Sequence, residues 1–580
     1  MARRPVGSMQ SPPRERPVID FRLYRLAFLP AALAFVAVMF SLEGAPRAIE
    51  PGPLVGSFEG DRATSLAREI VALAPEPDAG SDDDARIADL VGQRFGEIGA
   101  GATTEQSFEA EVDGDTTDLR NVILTLPGVS DRTVVVLAGR DSPEGPGAAS
   151  SAAATGVLLE LADTLGERDH DRTYVLASTS GDAWGAAGAS ALIEALPQRG
   201  SIEAVVVISQ PGPVAPRPPY VVATATGEAS APVQLVRTAE LAVRSQALRS
   251  DGSESPFTQL SRLALPSGIG AQAPLIADGL DAVAISAAGE RPLPPADDSA
   301  DSLSGESIDA FGRAVQSTIS AIDLHPEALE EDPGAHIEIS GNLIPGWAVA
   351  ALALALILPA ALAAVDACAR AARGGAGPLS GIGWAAARSL PFVGALGMLY
   401  ALALVGLVPR PPFPFDPRLF ELGGRGLAVL ALILLGAGAS AWALRAQRVT
   451  GAAAPAAALA GLGVVAALGC LLAWLANPYL ALLLAPTAHA WLLGAGDPSP
   501  GRAAAVAAGA VLACLPLAAA VVAVTRALGL GADAPWTFTL MVADGQIGLA
   551  VSLAACFIGG ALLGSVARAT AAARHRPAAD

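Results

Sequence analysis

At 580 residues, 52% of them hydrophobic, and with a mean hydropathy of +0.47, the chain is too apolar for a soluble protein, yet its formal net charge is -19. Of its 56 acidic residues, 47 lie between Glu43 and Glu338, against 18 arginines in the same section; that imbalance argues against nucleic acid as a partner and describes an acidic globular domain joined to a membrane part. All four cysteines (Cys368, Cys470, Cys514, Cys556) fall in apolar segments, which excludes a disulfide scaffold for a domain that, at roughly 300 residues, is large enough to bury a core without staples.

Residues 1–25 are rich in Arg and Pro without a helical apolar period and are expected to be a disordered cytoplasmic tail. Residues 26–42 form an apolar run of about the length that crosses a bilayer, and the arginines before it place the N-terminus in the cytoplasm. A cleaved signal peptide competes with an anchor here. The following SLEGAPRAIEP offers no small-x-small cleavage site, so an uncleaved anchor is preferred. Residues 43–60 read as a linker, and a globular domain is expected over 61–325. Its leading segments, Arg62 to Ala74 and Asp84 to Ile98, have apolar residues at three and four spacing and predict helices. Thr103 to Val112 and Thr117 to Leu126 predict antiparallel strands turning at Asp113-Gly114-Asp115.

The stretch from Leu119 to Gly212 organises the rest. Apolar, β-branched runs at Asn121 to Leu126, Thr133 to Ala138, Thr173 to Ala177 and Ala204 to Ile208 alternate with two Ala/Leu-rich segments of helical period. That pattern predicts an α/β fold, a mostly parallel sheet sandwiched by helices, with its chemistry on the loops beyond the carboxyl ends of the strands. Those loops are GRDS from Gly139, GPGAASSAAATG ending at Gly156, SGDAWGAAG from Ser180 and SQPG from Ser209. Tyr220 to Ala225 predicts a further strand, Val233 to Arg244 a helix, Ala282 to Ser286 the last strand and Ile308 to Ile322 the closing helix. Residues 326–346 read as a stalk.

From Trp347 the composition becomes that of a multi-span α-helical membrane domain of about seven helices over 347–567: Trp347 to Val365, Leu390 to Val408, Gly426 to Leu444, Ala453 to Leu475, Tyr479 to Leu493, Ala503 to Val524 and Gln546 to Val566. Tyr479 to Leu493 is short, and a re-entrant or tilted segment is an alternative for it. One anchor and seven spans return the C-terminus, with its tail at 568–580, to the cytoplasm. The placement of Arg370, Arg373, Arg445, Arg448, Arg568, Arg574 and Arg576 agrees. The expectation is an integral, multi-pass cell-membrane protein with both termini cytoplasmic and the large domain outside.

The order and spacing of the domain's loops resemble metallopeptidase family twenty-eight, the co-catalytic zinc aminopeptidases. What the resemblance implies is a site built from a strand-end His-x-Asp, an Asp bridging two zincs, a Glu-Glu pair before Gly-x-x-Gly, an Asp after the next strand and a late His. Aligned on the flanking glycines, the five ligand positions fall on Gly139, Ala152, Ala183, Ser209 and Leu293, and the general base on Asp182. Asp141 stands where the family supports its first His, so only Asp141 and Asp182 keep a carboxylate. The frame runs from about Arg62 to Asp323, degenerate at the zinc site. The wider architecture, an anchor, an external peptidase-like domain and a multi-span end, is similar to the Gaa-type subunit of the GPI transamidase, which implies scaffolding and not a substrate.

The residues themselves point the same way. A two-zinc site needs His and carboxylate ligands converging from several loops, and the domain's three histidines are badly placed: His170 lies in a polar turn before a strand, and His325 and His336 follow the closing helix. All three are expected to be solvated. Asp141 is expected to bond loop amides and Asp182 to cap the following helix. Ser150, Ser151, Ser178, Ser180 and Ser209 rim the same region without a histidine to activate them. Asp297, Asp298 and Asp301 are expected to form a solvated acidic face, and His489 and Asp544 are the ionisable residues of note in the membrane part. The preferred function is therefore a membrane-anchored, metallopeptidase-like pseudoenzyme, an external binding or assembly subunit without a cofactor, whose partners are the membrane and other membrane or extracytoplasmic proteins or peptides. One alternative is an active zinc-dependent membrane aminopeptidase. Another is a transporter or lipid-handling protein with an external receptor domain.

Overall fold

The computed structural model describes residues 21–52, 58–196, 199–214, 220–247, 254–330, 334–446, 454–496 and 499–574. Most of the expected N-terminal tail, Arg448 and Arg576 lie outside them. The anchor is two helical pieces, α1 (Phe21–Leu26) and α2 (Leu29–Phe40), followed by a two-residue strand β1 (Glu43–Gly44). The domain then runs α3 (Gly60–Leu73), α4 (Asp82–Gly96), β2 (Ala102–Val112), β3 (Asp115–Leu126), β4 (Thr133–Gly139), α5 (Ala153–Gly166), β5 (Thr173–Thr179), α6 (Ala187–Ala195), β6 (Ile202–Ser209), β7 (Tyr220–Val222), α7 (Val233–Ala247), α8 (Pro256–Ala264), α9 (Gln272–Ala277), β8 (Ala282–Ser286) and α10 (Gly305–Leu324). Local chemistry explains several starts. The Ser81 side chain accepts the Asp84 N–H to cap α4, whose first turn carries Asp82, Asp83 and Asp84 at the positive end of the helix dipole. Ser255 and Ser304 cap α8 and α10 in the same way.

The seven strands lie in the order β2-β3-β5-β4-β6-β8-β7. The sheet is mixed: β5, β4, β6 and β8 are parallel, while β2, β3 and β7 run antiparallel at its edges. The parallel strands are the Val/Ile-rich runs, and their near-total burial reflects helices on both faces. Helix α5, buried along most of its length, packs on β4 and β5 beneath α3 and α10. The backbone approach is closest at Gly156, where an added Cβ would meet the Ala63 carbonyl. The strand expected at Tyr220 to Ala225 stops at Val222, and α8 and α9, too short to announce themselves by periodicity, were not anticipated.

The stalk is more than a spacer. It forms a hairpin, β9 (His336–Ile339) and β10 (Asn342–Pro345), and β10 pairs with β1 through Glu43↔Leu343 and Gly44↔Asn342. The linker leaving the anchor is thereby tied to the segment entering the next helix. The membrane part follows as α11 (Gly346–Arg373), α12 (Pro378–Ala386), α13 (Leu390–Leu404), α14 (Gly424–Ala446), α15 (Pro455–Ala476), α16 (Pro478–His489), α17 (Pro500–Ala527), α18 (Ala534–Asp544) and α19 (Leu549–Arg574). Seven segments are long and apolar enough to cross a membrane, the anchor and α12–α13 among them, which supports a multi-pass membrane protein. Helix α16 alone is too short. With its following turn it still runs from Asn477, whose amide donates to Leu263 O of the domain at 2.8 Å, to Gly494 at the opposite end beside Arg568.

The bundle packs through small residues: Gly381 and Gly461 bring the α12 and α15 backbones together, and no Cβ fits at either. The domain is seated on this bundle. Leu263, Leu265 and Ile269 share one core with Tyr479, Leu480, Leu528 and Leu530. His489 uses both ring nitrogens structurally: Tyr24 Oη donates to Nδ1 at 2.9 Å, and Nε2–H donates to Leu356 O at 2.9 Å. It pins the anchor to the bundle. In a background with the four native cysteines replaced, a membrane-impermeant thiol reagent applied from outside the cell is expected to label Gly200→Cys in the domain and spare Ala372→Cys at the far end of α11. The reverse pattern would invert the topology.

Candidate functional site

The cleft beyond the carboxyl ends of the parallel strands is built from the ground up by a buried ion pair. Arg140, immediately after β4, has a fully buried side chain; its Nε lies 2.7 Å from Asp84 Oδ1 and its Nη2 3.2 Å from Asp84 Oδ2. Nη1 donates to Ser178 O at 3.1 Å, while Ser180 Oγ and Gly80 N–H donate to Asp84 Oδ2 at 2.9 and 3.2 Å. A guanidinium and a carboxylate removed from water persist only when their remaining bonds are satisfied in this way. The pair locks β4, β5 and α4 together behind the GRDS loop.

On that base, the backbone N–H of Asp182 donates to both carboxylate oxygens of Asp141, at 3.0 and 3.1 Å. Asp141 thus bonds a loop amide, as expected. Asp182 is not a helix cap: α6 begins only at Ala187, after Ala186 in the left-handed region at φ 51°, and has no side-chain cap. The two glycines at Gly181 and Gly185 turn the loop so that Asp182 faces the cleft instead. Burial, and then the charge of Asp182, push the Asp141 carboxyl up to about 7. Burial, and then Asp416, push Asp182 up to about 6.

Of the five positions that the resemblance assigns to metal ligands, Ala183, Ser209 and Leu293 line the cleft with Asp141 and Asp182, around about 110 Å³ of room. Ala152 does not: it is 1% exposed and belongs to the domain core. At Gly139 a Cβ would fall 2.9 Å from both Cβ and Cγ of Asp182, so the space a histidine would need is filled. Zinc takes imidazole, thiolate and carboxylate donors; the cleft's carboxylates are Asp141, which accepts the Asp182 N–H, Asp182 itself, and Glu290 and Asp416, which are paired with Arg262 and Arg418. Among the described residues no three His, Cys, Asp or Glu converge as a ligand set. The donor set does not fit a co-catalytic zinc pair.

One wall of the cleft comes from the membrane part. The connection between α13 and α14 rises into the mouth, where Phe415 is 2% exposed and bridges to Trp184 in antiparallel fashion. Gly185 N–H donates to Pro414 O at 2.9 Å and Asp416 N–H to Ala183 O at 3.3 Å. Arg418 donates to Leu293 O and is held by Asp416, Nε to Oδ2 at 2.9 Å. Nothing at Asp416 or Arg418 marked them as site residues. The usable signal was the run PRPPFPFDP, proline-rich and with two phenylalanines, an unusual composition for a span connection. Gln210 was also missed: its Oε1 accepts from Leu293 N–H at 2.7 Å and so fixes the last loop of the cleft.

Several polar residues sit otherwise than expected. Asp298 is 3% exposed, not solvated; its Oδ1 accepts from Ala149 and Ser150 N–H at 2.8 and 2.9 Å and its Oδ2 from Ser150 Oγ at 2.5 Å, tying two cleft loops, while Asp297 and Asp301 are exposed. His170 is buried because its turn folds back over α5, so that Nε2–H donates to Leu165 O at 2.7 Å and the ring stands edge-on to Tyr174. His336 is buried in β9, and its Nδ1–H donates to Gly334 O at 2.8 Å. His325 ends α10, partly exposed. Among the described residues none of the rim serines has a histidine partner: Ser180 is bound to Asp84, Ser150 to Asp298 and Ser151 to Gly147 O.

Residues 121–254, which carry Gly139, Ala152, Asp182, Ala183 and Ser209 but not Leu293, match the family model described as Peptidase family M28. Among solved structures, the chain is similar to a glutaminyl cyclase of an Acidobacteriales bacterium at 18% identity, covering 48% of this chain and 99% of that one with a TM-score of 0.38. It is similar also to BSAP, a zinc aminopeptidase from Bacillus subtilis, at 14% identity over 46% and 95% of the two chains (TM-score 0.35), and to Porphyromonas gingivalis glutaminyl cyclase at 17% over 46% and 99% (TM-score 0.35). No curated protein matches the sequence.

Proposed function

With residues 121–254 assigned to an M28-type frame, we propose that the chain is a membrane-anchored, metallopeptidase-like pseudoenzyme whose external domain serves binding or assembly. The observation that supports this most is the exchange at the cleft. The positions that would hold zinc carry Gly139, Ala152, Ala183, Ser209 and Leu293, and the mouth is used to bind the α13–α14 connection of the same chain. Without a metal to lower the pKa of an attacking water, Asp182 has no activated nucleophile to serve. What the cleft retains is a concave surface with polar groups at its rim, the kind of place where a peptide or small group docks.

The test is elemental analysis of the purified chain together with assays on aminoacyl and peptide substrates in added zinc. Zinc well below one equivalent and no turnover are expected. Near-stoichiometric zinc, or turnover lost to chelator and to Asp182→Asn, would instead establish the aminopeptidase reading. For the binding role, Ser209→Trp fills the cleft without entering the core, and co-purification from native membranes is expected to lose the partner while thermal unfolding is unchanged. Undiminished association would place binding elsewhere.

A further inference from the structure

The end of the bundle farthest from the domain holds a cluster that the cleft does not explain. The domain side of α19 is fixed by Gln546, whose amide donates to Pro266 O at 3.0 Å and to Thr226 O. Arg568 lies 19 residues beyond Leu549, roughly 28 Å along the helix at 1.5 Å per residue, close to the thickness of a hydrocarbon core. On the same face, one and two turns earlier, Gly564 and Gly560 form a small-xxx-small pair that admits the Ala387–Ser389 turn against the helix. A Cβ at Gly560 would strike Ser389, and one at Gly564 would stand 3.2 Å from Arg388 Cγ. Arg388 and Arg568 are thus brought to one face of α19, one helical turn apart.

Both guanidiniums lack counter-charges. Neither Arg388 nor Arg568 has a carboxylate within ion-pair distance among the described residues, whereas Arg370, at the same end, is paired with Asp366 at 2.7 Å. Arg388 makes no hydrogen bond to the described protein and lies over the Trp384 ring, 4.6 Å from its centroid. Arg568 spends one nitrogen on Gly494 O. The Nε of each arginine and the hydroxyl of Ser389 are buried donors without an acceptor. Buried donors of this kind are costly to leave unmet, and two guanidiniums without counter-charges at one helix face call for an oxygen-rich anion. Immediately toward the bundle's middle the surface turns apolar, with Leu390, Phe392 and Leu563 exposed.

We propose that the junction of the Ala387–Ser389 turn with α19 is a binding site for the phosphate headgroup of one anionic phospholipid in the leaflet away from the domain. The two guanidiniums take the phosphate oxygens, and the acyl chains lie along the exposed Leu390, Phe392 and Leu563. Bidentate guanidinium–phosphate pairing supplies the specificity, and basic sites between membrane helices are where anionic headgroups settle. The adjoining apolar strip is what favours a lipid over a free phosphate.

The full chain in detergent, delipidated and titrated with dioleoyl-phosphatidylglycerol or dioleoyl-phosphatidylcholine under native mass spectrometry, tests this. One phosphatidylglycerol is expected to bind well ahead of phosphatidylcholine, and R388Q and R568Q each to weaken it about fivefold. R388Q removes no protein hydrogen bond, only the stacking on Trp384, and its thermal unfolding is expected to match the parent's; R568K, which keeps the charge, guards against misfolding at the second position and is expected to retain more affinity than R568Q. The exposed R373Q at the same end is expected to change nothing. An equal loss with R373Q would reduce the effect to surface charge and overturn the site, as would R388Q without effect. Complete displacement of the lipid by millimolar inorganic phosphate would overturn the lipid assignment in favour of a free-anion site.

Discussion

Asp84→Ala is expected to cost the domain about 3–5 kcal/mol, the usual penalty for stranding a buried charge. Arg140 has a fully buried side chain and cannot turn out to water, and Asp84 is its one ion-pair partner among the described residues. The substitution also removes the acceptor of Ser180 Oγ and of Gly80 N–H. Thermal unfolding of the purified chain should show a midpoint lowered on the order of 10 °C. The loss should be partly recovered in Asp84→Ala/Arg140→Met, where the orphaned charge is gone as well; such coupling is what contact within one network predicts. If Asp84→Ala melted with the parent, the ion pair would not be what holds the GRDS loop, and the cleft floor would owe its shape to the sheet alone.

Much of the fold was legible because its signals are local and repeated. Val134 to Ala138 and Ala204 to Ile208 are continuous apolar runs because parallel strands are covered on both faces. The antiparallel pair β2–β3 alternates because one face is wet, with Asp113 and Gly114 taking the positive φ its turn requires. Less was legible where an element is short or takes its partner from far away. Helix α9 has six residues, too few for a period to show. The β1–β10 pairing joins residues separated by the whole domain, and nothing in two residues of Glu-Gly announces a strand.

The site divides along the same line. Aligning glycines found the frame, since each marks a turn or close approach that the backbone still needs; Gly181 and Gly185 sit at positive φ around Asp182. The same alignment could not say that Asp182 had moved into the space beside Gly139, or that Ala152 faces the core, because loss of a ligand frees a side chain to repack. Nor could it place Asp416 and Arg418, which lie more than 110 residues beyond the last cleft loop. Their position depends on how the domain sits on the bundle, a tertiary fact with no periodicity. The histidines show the limit of composition: a polar turn such as that holding His170 buries its imidazole once a helix end offers a carbonyl.

Asp141→Asn is expected to stabilise the chain at pH 8 and to have little effect at pH 4. The folded carboxyl titrates at about 7, raised by burial and then by Asp182, whereas in the unfolded chain it titrates near 4. Below pH 4 it is protonated in both states and contributes no difference. Between 4 and 7 the unfolded state ionises while the folded state holds its proton, so stability falls as pH rises. Above 7 the full cost is present; three pH units at 1.36 kcal/mol each bound it at about 4 kcal/mol. Asparagine escapes that cost and keeps an oxygen for the Asp182 N–H. Urea midpoints of parent and variant should therefore converge in acid and diverge toward pH 8, with the parent the weaker. The opposite sign, an asparagine variant weaker at pH 8 and a parent strengthened by added zinc, is what a cation seated against Asp141 and Asp182 would produce, because a bound metal holds its carboxylates ionised. The same pair of titrations thus reads both the electrostatics of the cleft and whether it is stripped of its metal chemistry.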